Sequence, residues 1–259
     1  MKNILSIATL ATIIGAGAAQ AGPNLVQDGS FATTTSGAFY NGVGDNQFWS
    51  DIGYHGDSLH GVTSNPLPAP PLFSNGNTLS LAGVPTPPYN FVYSDAGSGF
   101  QSWAFTQTIH GLQVGKTYNL SFDSNYFTEN NNDGDTGQWI ANLGGTLDNS
   151  GNTYHGFTGG ETRFTPFVTI PSNPVPFGPN GTGWIAQSLS FTANDVTEAL
   201  TFISNGTGYP PFAAITDISL TAGGGVPEAP AWAMMLAGVF GLGLIVRRRR
   251  ASSTVATAA

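Results

Sequence analysis

The chain has 259 residues, with seven Lys and Arg against fifteen Asp and Glu, a formal charge of −8 and no cysteine. Only 8% of its residues are charged, whereas 12% are aromatic. This balance excludes a nucleic-acid interface, which needs clustered bases against phosphates. It also excludes thiol chemistry and disulfide stapling, and it is too rich in large apolar side chains for disorder throughout.

Residues 1–21 have the three parts of a secretory signal. Lys2 gives a positive start, Ile4 to Ala16 is apolar, and Ala19-Gln20-Ala21 is a small-x-small cleavage site. The expected exported part is 22–222. Setting aside Lys2 and Arg247–Arg250 leaves Lys116 and Arg163 as its only bases. Setting aside Glu228 leaves it fourteen of the fifteen acids. It is therefore strongly acidic and should be repelled by polyanions.

Abundant Gly, Asn, Ser, Thr and Pro with plentiful aromatics favour strands joined by turns. Asn24 to Phe31 reads as a first strand with a turn at Asp28-Gly29, and Phe48-Trp49 as core. Asn65 to Pro71 is a proline-rich loop, and Asn77 to Ala82 a short strand. The clearest signal is Trp103 to His110, a turn over Gly111 to Gly115, and then Tyr118, Leu120 and Phe122 alternating with Asn119, Ser121 and Asp123. Further strands are expected at Trp139 to Leu143, Phe164 to Ile170, Trp184 to Thr192, Ala199 to Ser204 and Ala213 to Thr221. Leu147 to Gly160 and Pro171 to Gly183 read as loops. The expected fold class is all-β, an antiparallel β-sandwich of jelly-roll type, with a signal helix before it and a single transmembrane helix after it.

Gly223-Gly224-Gly225 is a flexible linker to the segment 226–250. From Ala231 to Val246 no side chain is charged. At about 1.5 Å per residue that run spans roughly 24 Å as a helix, a minimal crossing of a bilayer core about 30 Å thick. Arg247, Arg248, Arg249 and Arg250 resist translocation and should keep the end, 251–259, cytoplasmic. Pro227, Glu228 and Pro230 before the apolar run, Trp232 to Met235 within it and the arginines after it resemble the PEP-CTERM sorting signal. Ala229 stands where that signal usually has proline. The resemblance implies a Gram-negative exported protein, held in the inner membrane with its domain on the periplasmic side. An exosortase, an integral-membrane transpeptidase, is the implied partner. It also implies an association with exopolysaccharide.

Asn24-Leu25-Val26-Gln27-Asp28-Gly29-Ser30-Phe31, the middle stretch Thr106 to Phe122, and the closing stretches Gln187 to Ala193 and Ile215 to Leu220 resemble galactose-binding-like and carbohydrate-binding-module jelly rolls. The resemblance implies a structural Ca²⁺ between the first and last strands, with Asp28 and Asp217 as its ligands, although Ala32 stands where the family often has an acid. It also implies sugar contacts. Rings stack on the apolar faces of sugars, and Tyr54, Tyr126, Trp139 and Tyr154 are the expected ones, with Tyr89 and Tyr209 as further loop aromatics. Trp49, Trp103 and Trp184 are expected in the core. Asn131 to Gly137 is acidic but lacks the EF-hand pattern, and a solvated turn is the favoured reading. His55, His60, His110 and His155 have no zinc spacing, and no nucleophile elbow is present. The leading expectation is a non-enzymatic, polysaccharide-binding cell-envelope protein. The alternatives are a structural or adhesive surface or biofilm-matrix protein, and a glycan-cleaving enzyme with Glu129 and Glu161 as its acid pair.

Overall fold

The alternation that starts at Thr117 carries through the computed structural model as two packed antiparallel sheets. The described residues are 22–33, 46–53, 60–64, 81–83, 90–96, 103–128, 134–148, 150, 154–171, 181–208 and 211–223, all within one compact unit, Gly22–Gly223. The signal segment, the PEP-CTERM-like tail, Tyr54, Tyr89, Glu129 and Tyr209 lie outside the described residues. One sheet has the order β11 (Ile185–Thr192), β5 (Thr117–Thr128), β13 (Pro211–Ala222), β3 (Asn90–Asp95), β2 (His60–Ser64). The other has the order β1 (Ser50–Gly53), β4 (Trp103–His110), β12 (Thr197–Thr207), β6 (Thr136–Leu143), β10 (Val168–Thr169), with β9 (Glu161–Phe164) also on β6. A separate ladder joins β7 (Thr146–Asp148) to β8 (Gly156–Thr158). From β3 to β6, and again from β11 to β13, consecutive strands switch sheets, which is the connectivity of a jelly roll.

The inner faces supply the core. Tyr118, Leu120 and Phe122 of β5 meet Phe105 of β4, Leu200 and Phe202 of β12 and Trp139 of β6. Phe105 and Phe202 stack at 5.2 Å, and Trp49 sits edge-on to Phe105 at 5.2 Å. Trp139 crosses the gap and donates its indole N–H to Ala214 O at 3.1 Å. Burying each such ring stabilises the fold by about 1.5–3 kcal/mol. The second half of β5 and the first half of β13 are buried on both faces. There a second apolar layer covers the five-stranded sheet: Leu81 and half-buried Trp184 pack on Phe91, Tyr93, Phe127 and Phe212.

Two expected strands and one expected loop differ. Residues 24–31 run beside β13 without forming a ladder, because side chains take the backbone groups. Asn24 Oδ1 accepts from Leu220 N and Val26 N, and the Gln107 amide accepts from Gln27 N and donates to Gln27 O. The strand expected over 164–170 breaks into β9 and β10. Pro166 has no N–H for a ladder, and Thr165 turns its hydroxyl inward to Tyr126 and Trp139. Residues 147–160, read as loop, contain the β7–β8 hairpin.

Candidate functional site

Period-2 geometry places Ala104, Thr106 and Thr108 of β4 on the outer face of the six-stranded sheet. Thr201, Ile203 and Asn205 of β12, and Gln138, Ile140 and Asn142 of β6, share that face. The register sets Thr162 and Phe164 of β9 opposite Asn142 and Ile140. No Asp, Glu, Lys or Arg occupies a described position on this face.

Its polar side chains are fixed by each other. Asn205 Nδ2 donates to Gln138 Oε1 at 2.9 Å, and Gln138 Nε2 donates to Thr165 O at 2.7 Å. Thr106 Oγ1 donates to Leu200 O at 3.1 Å and lies 3.0 Å from Thr201 Oγ1. At the end of the face formed by Ala104, Ile140 and Ile203, partly buried Leu147, Tyr154 and Phe157 pack on it from above, with Ile52 beside them. Burial raises the Tyr154 phenol above its ordinary pKa. Along the β9 edge, Phe164 is 54% exposed, and Phe167, in the β9–β10 connection, is 53% exposed. Gln138, Asn142 and Thr201 are themselves buried beneath this face, so what it offers a ligand is partly exposed Thr106 and Asn205, exposed Thr108 and the open rings of Phe164 and Phe167, with no charge. It suits hydrogen bonding and ring stacking rather than acid–base chemistry.

The expected site residues do not converge here. Tyr126 and Trp139 are fully buried between the sheets and present no ring face to a ligand. Both sit on the inward phase of their strands, which overrides the polar loops beside them. Burial raises the Tyr126 pKa, against lowering hydrogen bonds that include one from Thr165. Tyr154 alone of the described ring candidates reaches the outer face. Trp49 joins the core as expected, whereas Trp184 lies on the opposite outer face against Phe91, 5.5 Å between ring centres. Phe164 and Phe167 were not singled out from the sequence. The available signal was Pro166, which ends the strand and leaves both rings at an edge.

The segments that carry Asp28 and Asp217 meet in the fold. Ile218 N donates to Gly29 O at 3.0 Å, and both aspartates adopt left-handed backbone, with φ of 49° and 53°. The donors around Asp28 do not fit a cation, however. Oδ1 accepts from Ala32 N at 2.7 Å, and Oδ2 accepts from Thr33 N, Thr33 Oγ1 and Asn46 Nδ2 at 3.3, 2.6 and 2.7 Å. Four donors fill the lone-pair sites of one carboxylate, and a calcium ion would have to displace them. Among the described residues, no group of three or more His, Asp or Glu side chains is placed to hold a metal.

In the acidic loop, Asp135 is buried rather than solvated and accepts from Thr128 Oγ1 at 3.3 Å. Glu161 accepts from Arg163 at 2.8 Å and from Thr192 N at 2.9 Å, so its carboxylate is committed to joining the sheets.

No protein-family model and no curated protein sequence matches the chain. Among solved structures, it is similar to a family 61 carbohydrate-binding module in complex with β-1,4-galactotriose: 12% identity, TM-score 0.37, over 78% of this chain and 99% of that one. It is also similar to the CBM22-1 and GH10 modules of Clostridium thermocellum endo-1,4-β-D-xylanase 10B complexed with xylohexaose: 14% identity, TM-score 0.40, over 80% of this chain but only 30% of that one. The K3 cleaved adhesin domain of Lys-gingipain from Porphyromonas gingivalis gives 17% identity and a TM-score of 0.39, over 73% and 100%. At these identities and scores, ligand and activity rest on the chain's own residues.

Proposed function

We propose that this chain is an exported, non-enzymatic cell-envelope protein that binds a neutral polysaccharide on the outer face of its six-stranded sheet. The observation that carries the reading is the composition of that face: the accessible hydroxyls of Thr106 and Thr108 and the Asn205 amide, the exposed rings of Phe164 and Phe167 at its edge, and no charged side chain. Sugars offer hydroxyls to the first group and apolar C–H faces to the second. The acidic bulk of the domain disfavours polyanionic glycans.

Delivery is the second half of the proposal. The signal pattern of 1–21 and the tail from Pro227 to Arg250 support secretion, a single inner-membrane span with the domain in the periplasm, and hand-over by an exosortase. A calcium ion is left out of the proposal, because the Asp28 carboxylate is already saturated by donors.

Binding of the full chain to an array of neutral and acidic polysaccharides tests the ligand. Retention on neutral polymers that is lost in Phe164→Ala supports the reading. No retention on any polymer favours a structural or adhesive role instead. New reducing ends that disappear in Glu161→Gln would make the protein an enzyme. Mass and fractionation of the mature protein test the delivery: an intact tail in the outer envelope contradicts sorting by cleavage.

A further inference from the structure

The β7–β8 hairpin is attached to the sandwich in an unusual way. It continues the β6–β9 ladder, in which Leu143 pairs with Glu161, and its own ladder begins at Thr146 opposite Thr158. Between the two ladders, Gly144-Gly145 faces Gly159-Gly160. Gly144, Gly159 and Gly160 have φ of 84°, 75° and 63°, a region that other residues enter at a cost. The two legs also touch: a Cβ on Gly145 would stand 2.4 Å from Gly159 O, and one on Gly160 would stand 2.3 Å from Gly145 N. The chain therefore folds sharply at one point on both legs, and the hairpin tip turns back over the outer face.

Two kinds of contact hold it there. At the fold, buried Asn142 bridges both legs: Oδ1 accepts from Gly145 N at 2.7 Å, and Nδ2 donates to Thr162 Oγ1 at 3.0 Å and approaches Gly159 O at 3.4 Å. At the tip, Leu147, Tyr154 and Phe157 rest on Ala104, Ile140 and Ile203. The tip's polar bonds are its own. His155 N donates to Asp148 O, His155 Nε2 donates to Ser150 O, and Ser150 N donates to Asp148 Oδ1. Among the described residues, no hydrogen bond ties the tip to the sheet beneath it. An element joined by paired glycines and held by a few half-buried apolar side chains belongs to the low-stability end of a fold.

We propose that the β7–β8 hairpin is a hinged flap. Closed, it covers the apolar end of the outer face. Open, it uncovers a strip of Ala104, Ile140 and Ile203 on which a sugar chain lies beside the partly exposed Asn205 amide. This inference rests on the glycan reading of that face. The flap lowers apparent affinity by the fraction of time it is closed, so weakening its closed contacts tightens binding.

The test is amide hydrogen exchange on the full chain and on Phe157→Ala, with Leu147→Ala as a second variant. Exchange at 146–148 and 155–158 should accelerate about tenfold in either variant, while β6 and β12 amides keep their rates. Fluorescence of anilinonaphthalene sulfonate should rise as the strip opens. Hairpin and β6 amides accelerating together, or neither changing, would overturn the flap. The same proteins are then titrated with xylohexaose and with a neutral-polysaccharide array. Tighter binding by Phe157→Ala supports occlusion. Weaker binding makes the hairpin a fixed wall of the site and overturns it. Loosened exchange with no glycan bound by either protein leaves the hinge standing and removes the glycan reading.

Discussion

Glu161 and Arg163, two residues apart on β9, form a 2.8 Å ion pair that also stitches the open edge of the sandwich. Arg163 Nε donates to Ser190 O at 2.9 Å, Glu161 accepts from Thr192 N at 2.9 Å, and the guanidinium lies 5.6 Å from the Phe191 ring centre. Side chains from one sheet thus cap the edge strand of the other. Unpaired edges invite strand addition, and this pair blocks that pairing at residues 190–192.

Arg163→Ala should destabilise the domain by about 1–2 kcal/mol, through the lost bond to Ser190 and the lost stem packing. The ion pair itself contributes less, since the two side chains are 43% and 26% exposed and water screens them. A double-mutant cycle with Glu161→Gln should give a coupling of under about 1 kcal/mol. Urea melts measure both quantities; a coupling well above that value would mean the pair acts as a buried one.

Alkaline pH should weaken the fold through Tyr126. Its folded pKa is raised by burial above the ordinary value, so the folded state holds the proton longer than the unfolded state does. Stability from this group is complete below about pH 10 and falls as pH rises above it. Tyr126→Phe should remove that part of the alkaline loss, at the cost of the 3.2 Å contact with Thr165. Melting midpoints between pH 8 and pH 11 give the comparison; equal alkaline slopes in both proteins would contradict the assignment.

The sheet's period-2 code was legible wherever one face is wet. Tyr118 to Asp123 announced β5, and Ile218 to Thr221 announced the end of β13. The code fails where both faces are covered, because Asn125, Phe127 and Ile203 are buried alike whatever their polarity. Tyr126 and Trp139 looked available because polar loops border their strands, but both face inward between the sheets. The candidate site was less legible than the fold. It is built from Thr106 of β4, Asn205 of β12 and Phe164 of β9, whose adjacency depends on the register of β4, β12, β6 and β9, strands distant in sequence. The β7–β8 hairpin stayed hidden because paired glycines read as turn residues, and only the structure shows the two pairs facing each other.

Chelation should leave stability unchanged at the first turn. Asp28 holds the loop through Ala32, Thr33 and Asn46, and Asp28 O accepts from Trp49 Nε1 at 3.1 Å. This network seats Phe31, whose φ of 54° costs roughly 1–3 kcal/mol, against Trp49 and Phe105, where burial offsets it. EDTA should therefore shift the melting midpoint by less than calcium linkage requires. Asp28→Ala should cost about 1–2 kcal/mol, because it removes the acceptor of the buried Asn46 amide, while water can replace it at exposed Ala32 N and Thr33. A midpoint that drops with EDTA and recovers with calcium would reinstate the ion.

The exposed rings offer the cleanest separation of binding from folding. Phe164 is more than half exposed, so Phe164→Ala should change stability by no more than about 0.5 kcal/mol. Trp139→Ala, with the ring fully buried and its N–H on Ala214, should cost about 3–5 kcal/mol. If the outer face binds glycan by stacking at its edge, Phe164→Ala loses about tenfold or more in affinity, the scale of a residue that anchors an interface, and Phe167→Ala weakens it in the same direction. Since the face carries no charge, affinity should be nearly flat between low and physiological salt. Isothermal titration with a retained neutral polysaccharide reads all of these at once. A steep salt dependence, or full binding by the Phe164→Ala protein, would move the site to another face.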